Sequence, residues 1–245
     1  MAINTEFLKQ SASSNPIKKL NWTQILVWSL LFLFPLSLYL VWISPTDAEL
    51  LYSQRIFYFH FPANIMCFVS FTVYFTAAIG YWRKRGRNWD IVMMASLELG
   101  LFFALIGILT GSIWARYAWN TWWTWDPRLT TVTIMMAVYL AGVMLRNATD
   151  EPSRKAALTA AFGIIGFVNV PLVYFSTRWF PRGLHPVIFG SNGNASNLQG
   201  FMNVTLAVST ITVGLLFTYL IIQRVKLEEM RDDVAVLQFA HQDEE

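Results

Sequence analysis

Two histidines and a crowded run of tryptophans are the residues of this 245-residue chain best equipped for chemistry. His60 lies in "FYFHFPAN" and His185 in "FPRGLHPVIFG". Between them, "WARYAWNTWWTWDPRL" sets Trp114, Trp119, Trp122, Trp123 and Trp125 within twelve positions and follows them with Asp126, Pro127 and Arg128. The third histidine, His241, stands in an acidic tail and reads as solvated.

A neutral imidazole is a good metal ligand, and an indole offers a large flat apolar face. Scattered tryptophans at a membrane surface form an aromatic belt, but five of the chain's eleven in one short segment exceed what a belt needs. A flat ligand that carries a metal with two axial positions answers both features, and two imidazoles are a common way to hold haem iron. Structural zinc fits poorly, because it wants four ligands and only these two histidines present themselves. Haem propionates need cations, and arginine's planar fork matches a carboxylate with two bonds. Arg128, directly after the tryptophans, is the first candidate, and Arg55 is the second. Asp126 also has a plain task, as the cap of a helix that begins at Pro127.

These residues must be held by a membrane scaffold. The chain is 55% hydrophobic and 13% charged, against about a quarter charged in soluble domains. A bilayer core about 30 Å thick needs about 20 apolar residues per helix. Six stretches meet that requirement, at approximately 22–43, 61–82, 92–113, 129–145, 156–176 and 201–222. The reading is an all-α membrane protein of six transmembrane helices forming one polytopic domain over 1–245, with an outer tryptophan-rich loop at 114–128 and a tail at 223–245.

Basic residues orient the spans. Lys9, Lys18, Lys19, Arg83, Lys84, Arg85, Arg87, Arg146, Arg154, Lys155, Arg224, Lys226 and Arg231 fall on the side of the termini, and only Arg55, Arg116, Arg128, Arg178 and Arg182 on the other. The positive-inside rule puts both termini in the cytoplasm, and His60, the tryptophans and His185 together on the outer face. Basic residues that flank spans in this way set topology and are no nucleic-acid footprint, despite the net charge of +3. One cysteine, Cys67, lies inside the second span and excludes a disulfide framework.

His60 stands two residues before Pro62, which suits the first turn of a helix, so it is expected at the mouth of the second span. His185 precedes Pro186 and is expected to project from a loop. Glu98 and Asn169 are polar at membrane depth. Glu98 reads first as a structural or assembly contact, with a haem or proton path as the alternative. Asn169 reads as stabilising a kink at Pro171. "SNGNASN", residues 191–197, reads as a flexible outer loop.

The string "WNTWWTWDPRLT" resembles the WWD signature of the haem-handling proteins, specifically the haem exporter protein C (cytochrome c maturation protein C) family. Six spans, a tryptophan-rich outer loop between the third and fourth, and one histidine in each flanking outer loop complete the likeness. At position 120, where the family pattern leads one to expect glycine, this chain has asparagine. The resemblance implies that His60 and His185 are axial ligands of a non-covalently held haem b. It further implies that Trp119, Trp122, Trp123, Trp125 and Asp126 form its platform, Trp114 standing at the edge of the same segment.

It also implies delivery of haem on the periplasmic face of the bacterial inner membrane to a membrane-anchored haem chaperone. A small membrane subunit and the ATPase and permease subunits of an ABC-type complex are the implied partners. The chain has no Walker A string and so hydrolyses no ATP by that route, and no C-x-x-C-H, so it does not hold haem by thioether bonds. Two other readings stay open: a proton-coupled solute transporter that uses Glu98 and carries a mere aromatic belt, and a lyase that joins haem directly to apocytochrome.

Overall fold

The computed structural model describes residues 21–46, 51–180, 184–185 and 200–242. Seven helices account for it: α1 Trp22–Ile43, α2 Gln54–Lys84, α3 Arg87–Ala118, α4 Pro127–Asn147, α5 Pro152–Phe167, α6 Asn169–Trp179 and α7 Gly200–Gln242. Taking α5 and α6 as one segment, six helical stretches among the described residues are long and apolar enough to cross a membrane. Lys9, Lys18, Lys19, Arg182 and the loop 191–197 lie outside the described residues.

Helix ends follow local chemistry. Asp126 and Glu151 each precede a proline and accept two backbone N–H groups of the turn they open, at 2.8–2.9 Å. Such a cap is worth about 1 kcal/mol, and proline at the next position removes an N–H that has no partner there anyway. The exposed Glu151 carboxyl is held below its ordinary pKa, first by its hydrogen bonds to Ser153. Between α2 and α3 the chain reverses in two residues, Arg85 and Gly86, both at positive φ (48° and 133°).

Within the bundle α2 is central, packed on α3, α5 and α7; α1 lies against α7, and α4 against α5 and α6. Lipid-buried helices gain little from hydrophobicity between themselves, so close approach and buried hydrogen bonds carry the association. Gly100 admits the Phe71 ring and Gly166 admits Tyr139, both closer than any Cβ would allow. Phe71 in turn stacks on Tyr139 at 4.0 Å. Tyr74 donates to the Thr159 carbonyl at 2.5 Å and Ser70 to that of Ser96 at 2.6 Å, pinning α2 to α5 and α3. Cys67 is buried in this core.

Antiparallel order gathers the starts of α2, α4 and α7 with the ends of α1, α3 and α6. At this end Gln54 donates to Tyr58 and Met202, and Ser44 shares a hydrogen bond with Tyr58. The opposite end is ionic. Asp90 takes both Arg146 (2.7 and 3.0 Å) and Arg87 (2.6 Å), Arg87 reaches Asp232 at 2.8 Å, and Arg224 grips Glu98 with two bonds of 2.5 and 2.9 Å.

Two local features differ from the sequence expectation. α2 begins at Gln54, so His60 sits at the end of its second turn, with Pro62 inside the helix. Arg55, the sole charge in its opening turns, donates to the Trp42 carbonyl at 2.7 Å and lies over the faces of Trp42 and Tyr52. Pro62 then costs only the helical bond that the Tyr58 carbonyl would have accepted. The kink before Pro171 is present as a break at Val168, bridged by a bond from the Val168 N–H to the Ile165 carbonyl at 3.3 Å. Asn169 makes no side-chain hydrogen bond among the described residues, so the missing proline N–H suffices to explain the break.

Candidate functional site

His60 is held between α2 and α3. Its Nδ1 lies 3.0 Å from the Thr110 hydroxyl oxygen, and that hydroxyl spends its single proton on the Ile106 carbonyl at 2.6 Å. Thr110 therefore accepts, and the imidazole carries its proton on Nδ1. Gly111 makes room for the ring: a Cβ there would stand 2.9 Å from His60 Cε1. The Nε2 lone pair is left to meet a donor, and the Asn64 amide lies 3.1 Å from it.

His185 is oriented by a carboxylate. Its Nδ1 lies 2.8 Å from Asp126 Oδ2, and both side chains are nearly buried. The other oxygen, Oδ1, caps α4 through the Arg128 and Leu129 N–H groups. Burial draws the His185 pKa below its ordinary value and outweighs the opposing pull of Asp126, so the ring is neutral near pH 7. A neutral ring that donates from Nδ1 to a carboxylate presents a basic Nε2 to a metal.

The tryptophans interlock edge to face. Trp119 meets Trp114 at 5.1 Å and 80°, and His185 at 5.0 Å and 73°; Trp123 meets Trp125 at 5.8 Å and 80°. These rings thus form perpendicular walls, not one plane. Trp122 and Trp125 project, 59% and 73% exposed, while the buried Trp123 Nε1–H has no partner among the described residues. Asn120 shapes the segment: its φ of 56° is the left-handed conformation that glycine adopts freely and asparagine tolerates. Arg116 donates to its side-chain oxygen.

Arg128, partly buried, makes no hydrogen bond or ion pair through its guanidinium among the described residues. It lies within electrostatic reach of both His60 and His185, as the two imidazoles lie within reach of each other. Arg55, by contrast, is engaged at the junction of α1 and α2, with its buried Nε unpartnered among the described residues. Arg178 covers Tyr174 at 4.5 Å.

A model of the heme exporter protein C family matches residues 7–240. The chain belongs to that family. It is 31% identical over 229 residues to a heme exporter protein C of Bradyrhizobium diazoefficiens, covering 92% of this chain and 87% of the relative. The corresponding Rhodobacter capsulatus protein is 26% identical over 220 residues, 88% and 91% of the two chains. A ccmC-like mitochondrial protein of Marchantia polymorpha, named for cytochrome c biosynthesis, is 28% identical over 186 residues, 76% and 79% of the two chains.

In this family member the structure brings His60, His185, Asp126, Arg128, Trp119 and Trp114 to one end of the bundle and sets Arg55 among α1 contacts. Two residues of the site escaped sequence reasoning. Asn64 is one helical turn beyond His60, a spacing that puts both on one face and could have flagged it. Thr110 belongs to α3, fifty positions away, and no local signal announces it.

Proposed function

We propose that this protein binds haem between His60 and His185 and hands it on during c-type cytochrome biogenesis, with haem as cargo and not as a resident group. One observation carries the reading. Both imidazoles are tied through Nδ1, to Thr110 and Asp126, which leaves their Nε2 atoms for a ligand within electrostatic reach of the Arg128 guanidinium, unpaired among the described residues.

The donor set suits haem. Among the described residues no three His, Cys, Asp or Glu side chains gather as a metal site, and two imidazoles suffice only where a macrocycle supplies the remaining ligands. Arg128 offers a two-pronged partner for a propionate, and the buried Trp123 N–H has no acceptor among the described residues. The projecting Trp122 and Trp125 supply apolar area for the ring. This arrangement supports non-covalent b-type binding by two histidines.

The relatives' names, heme exporter protein C and a cytochrome c biosynthesis protein, support the same assignment. In the proposed setting the site faces the periplasm from the bacterial inner membrane. A membrane-anchored haem chaperone receives the cargo, and a small membrane subunit and the ABC-type ATPase and permease subunits are the companions. Glu98, the carboxylate a proton-coupled transporter would need, is gripped by Arg224.

The test is a haemin titration of the purified protein, followed in the Soret and visible bands, for wild type, His60→Ala, His185→Ala and the double variant. A low-spin bis-histidine spectrum is expected, weakened by each single change and lost in the double. An unchanged spectrum in the double variant would refute the site.

A further inference from the structure

His60 and His185 are not equivalent ligands. Each Nδ1 is anchored, but His185 leans on a carboxylate and His60 on a neutral hydroxyl, so His185 is the more basic donor. Their Nε2 atoms differ too. Among the described residues the side-chain hydrogen bond of His185 is made through Nδ1, to Asp126. His60 Nε2 is covered by Asn64 Nδ2 at 3.1 Å.

Asn64 is well built for that cover. Its NH2 group has two protons: one goes to the His60 backbone carbonyl at 2.8 Å and the other to His60 Nε2. Both neighbours are acceptors, which fixes the amide's orientation. Its Oδ1 sits in a notch at Gly107, where a Cβ would come within 2.7 Å of it. The side chain is thus one turn along α2 from the histidine, anchored on its near side and free to give up one bond.

We infer that Asn64 is a latch on the iron-binding nitrogen of His60, so that haem engages His185 first and His60 only when the Asn64 amide yields. The inference rests on the haem reading proposed above. It makes the His60 bond the weaker of the two by design: ligation there forfeits a hydrogen bond that re-forms on release. A protein that must surrender its cargo gains a ready exit at one axial position. Asn64 is a positioning residue in this scheme and touches no reacting atom.

The experiment compares Asn64→Ala and Gly107→Ala with wild type. The second pushes the amide off the latch without altering Asn64. Removing the bond that competes with ligation should tighten haemin binding about two- to tenfold. Haem loss to apomyoglobin should slow by a similar factor, and the gain should vanish in a His60→Ala background. A haem-free readout stands beside it. With three histidines in the chain, side-chain 15N spectra give one imidazole for each. In both variants the His60 Nε2 resonance should move to the position of an unbonded lone pair, while the Nδ1–H tautomer and the His185 signals stay in place.

Weaker or unchanged haemin binding in both variants, with His60→Ala still lowering affinity, overturns the latch and leaves the site reading intact. Binding indifferent to His60→Ala and His185→Ala overturns both.

Discussion

Asp126 serves α4 with one carboxylate oxygen and His185 with the other, so the residue that starts a membrane helix also aims the imidazole that lies 59 positions further along the chain. Exchange for asparagine separates the two tasks. Asparagine is as good a cap through its Oδ1, but it then turns an NH2 donor, not an acceptor, towards the His185 Nδ1–H. Asp126→Asn should keep its stability and lose about 10- to 100-fold in haemin affinity, the usual cost of a lost outer-shell partner. Asp126→Ala should lose the same affinity and about 1 kcal/mol of stability besides. Titration in parallel with unfolding in SDS reads both, and full affinity in Asp126→Asn would show the contact to be idle.

The two histidines, the tryptophans and Arg128 were legible in the sequence because membrane spans allow so few places for polar and aromatic groups. Uninterrupted apolar length pointed to six helices of membrane-crossing length, and six are present among the described residues. Helix starts were harder: Pro62 imitates a first-turn proline, yet α2 runs two turns before it, where Tyr58 is bonded to Ser44 and Gln54 and Arg55 to the Trp42 carbonyl. The partners that fix each imidazole depend on side chains brought together from distant positions, so Thr110 was invisible. Asp126 was visible as a cap and hidden as an orienting group.

Trp119 and Trp122 should separate stability from binding. Trp119 makes two edge-on contacts, with Trp114 and His185, each worth about 0.5–1.5 kcal/mol beyond the area buried. Trp119→Ala should therefore unfold at clearly lower SDS and bind haemin weakly. Trp122 is largely exposed and has no ring partner among the described residues, so Trp122→Ala should shift stability by no more than about 0.5 kcal/mol while still lowering haemin affinity. Equal losses of stability in the two would contradict this division.

Position 120 gives a backbone test. At a φ of 56°, Asn120→Gly should be neutral within about 0.5 kcal/mol, because glycine relieves the backbone while the bond from Arg116 is lost. Asn120→Val should cost about 1–2 kcal/mol, the penalty of a Cβ in the left-handed region. A stable valine variant would mean that the turn is not held as described.

The ionic end should be uneven. Asp90 and Arg146 are both largely buried, with side chains 6% and 12% exposed, whereas Asp232 is 42% exposed. Asp90→Ala strands a buried guanidinium and should cost about 3–5 kcal/mol. Asp232→Ala should cost about 1 kcal/mol or less, and less still in high salt. Comparable losses in SDS unfolding would show that burial does not govern the network.

α7 is pinned near both of its ends, to Gln54 through Met202 and to Arg87 through Asp232. Thirty residues of helix rise about 45 Å, while the hydrocarbon layer is about 30 Å thick. The distance between the ionic cluster and the end that carries the histidines is thereby a fixed length of the molecule, like a strut set through a floor. In bilayers of different thickness the bundle must tilt or draw the lipid to itself, because it cannot shorten. The height of the site above the lipid is then set by the membrane in which the protein is placed, and lipid chain length becomes a means of raising or lowering it towards a partner.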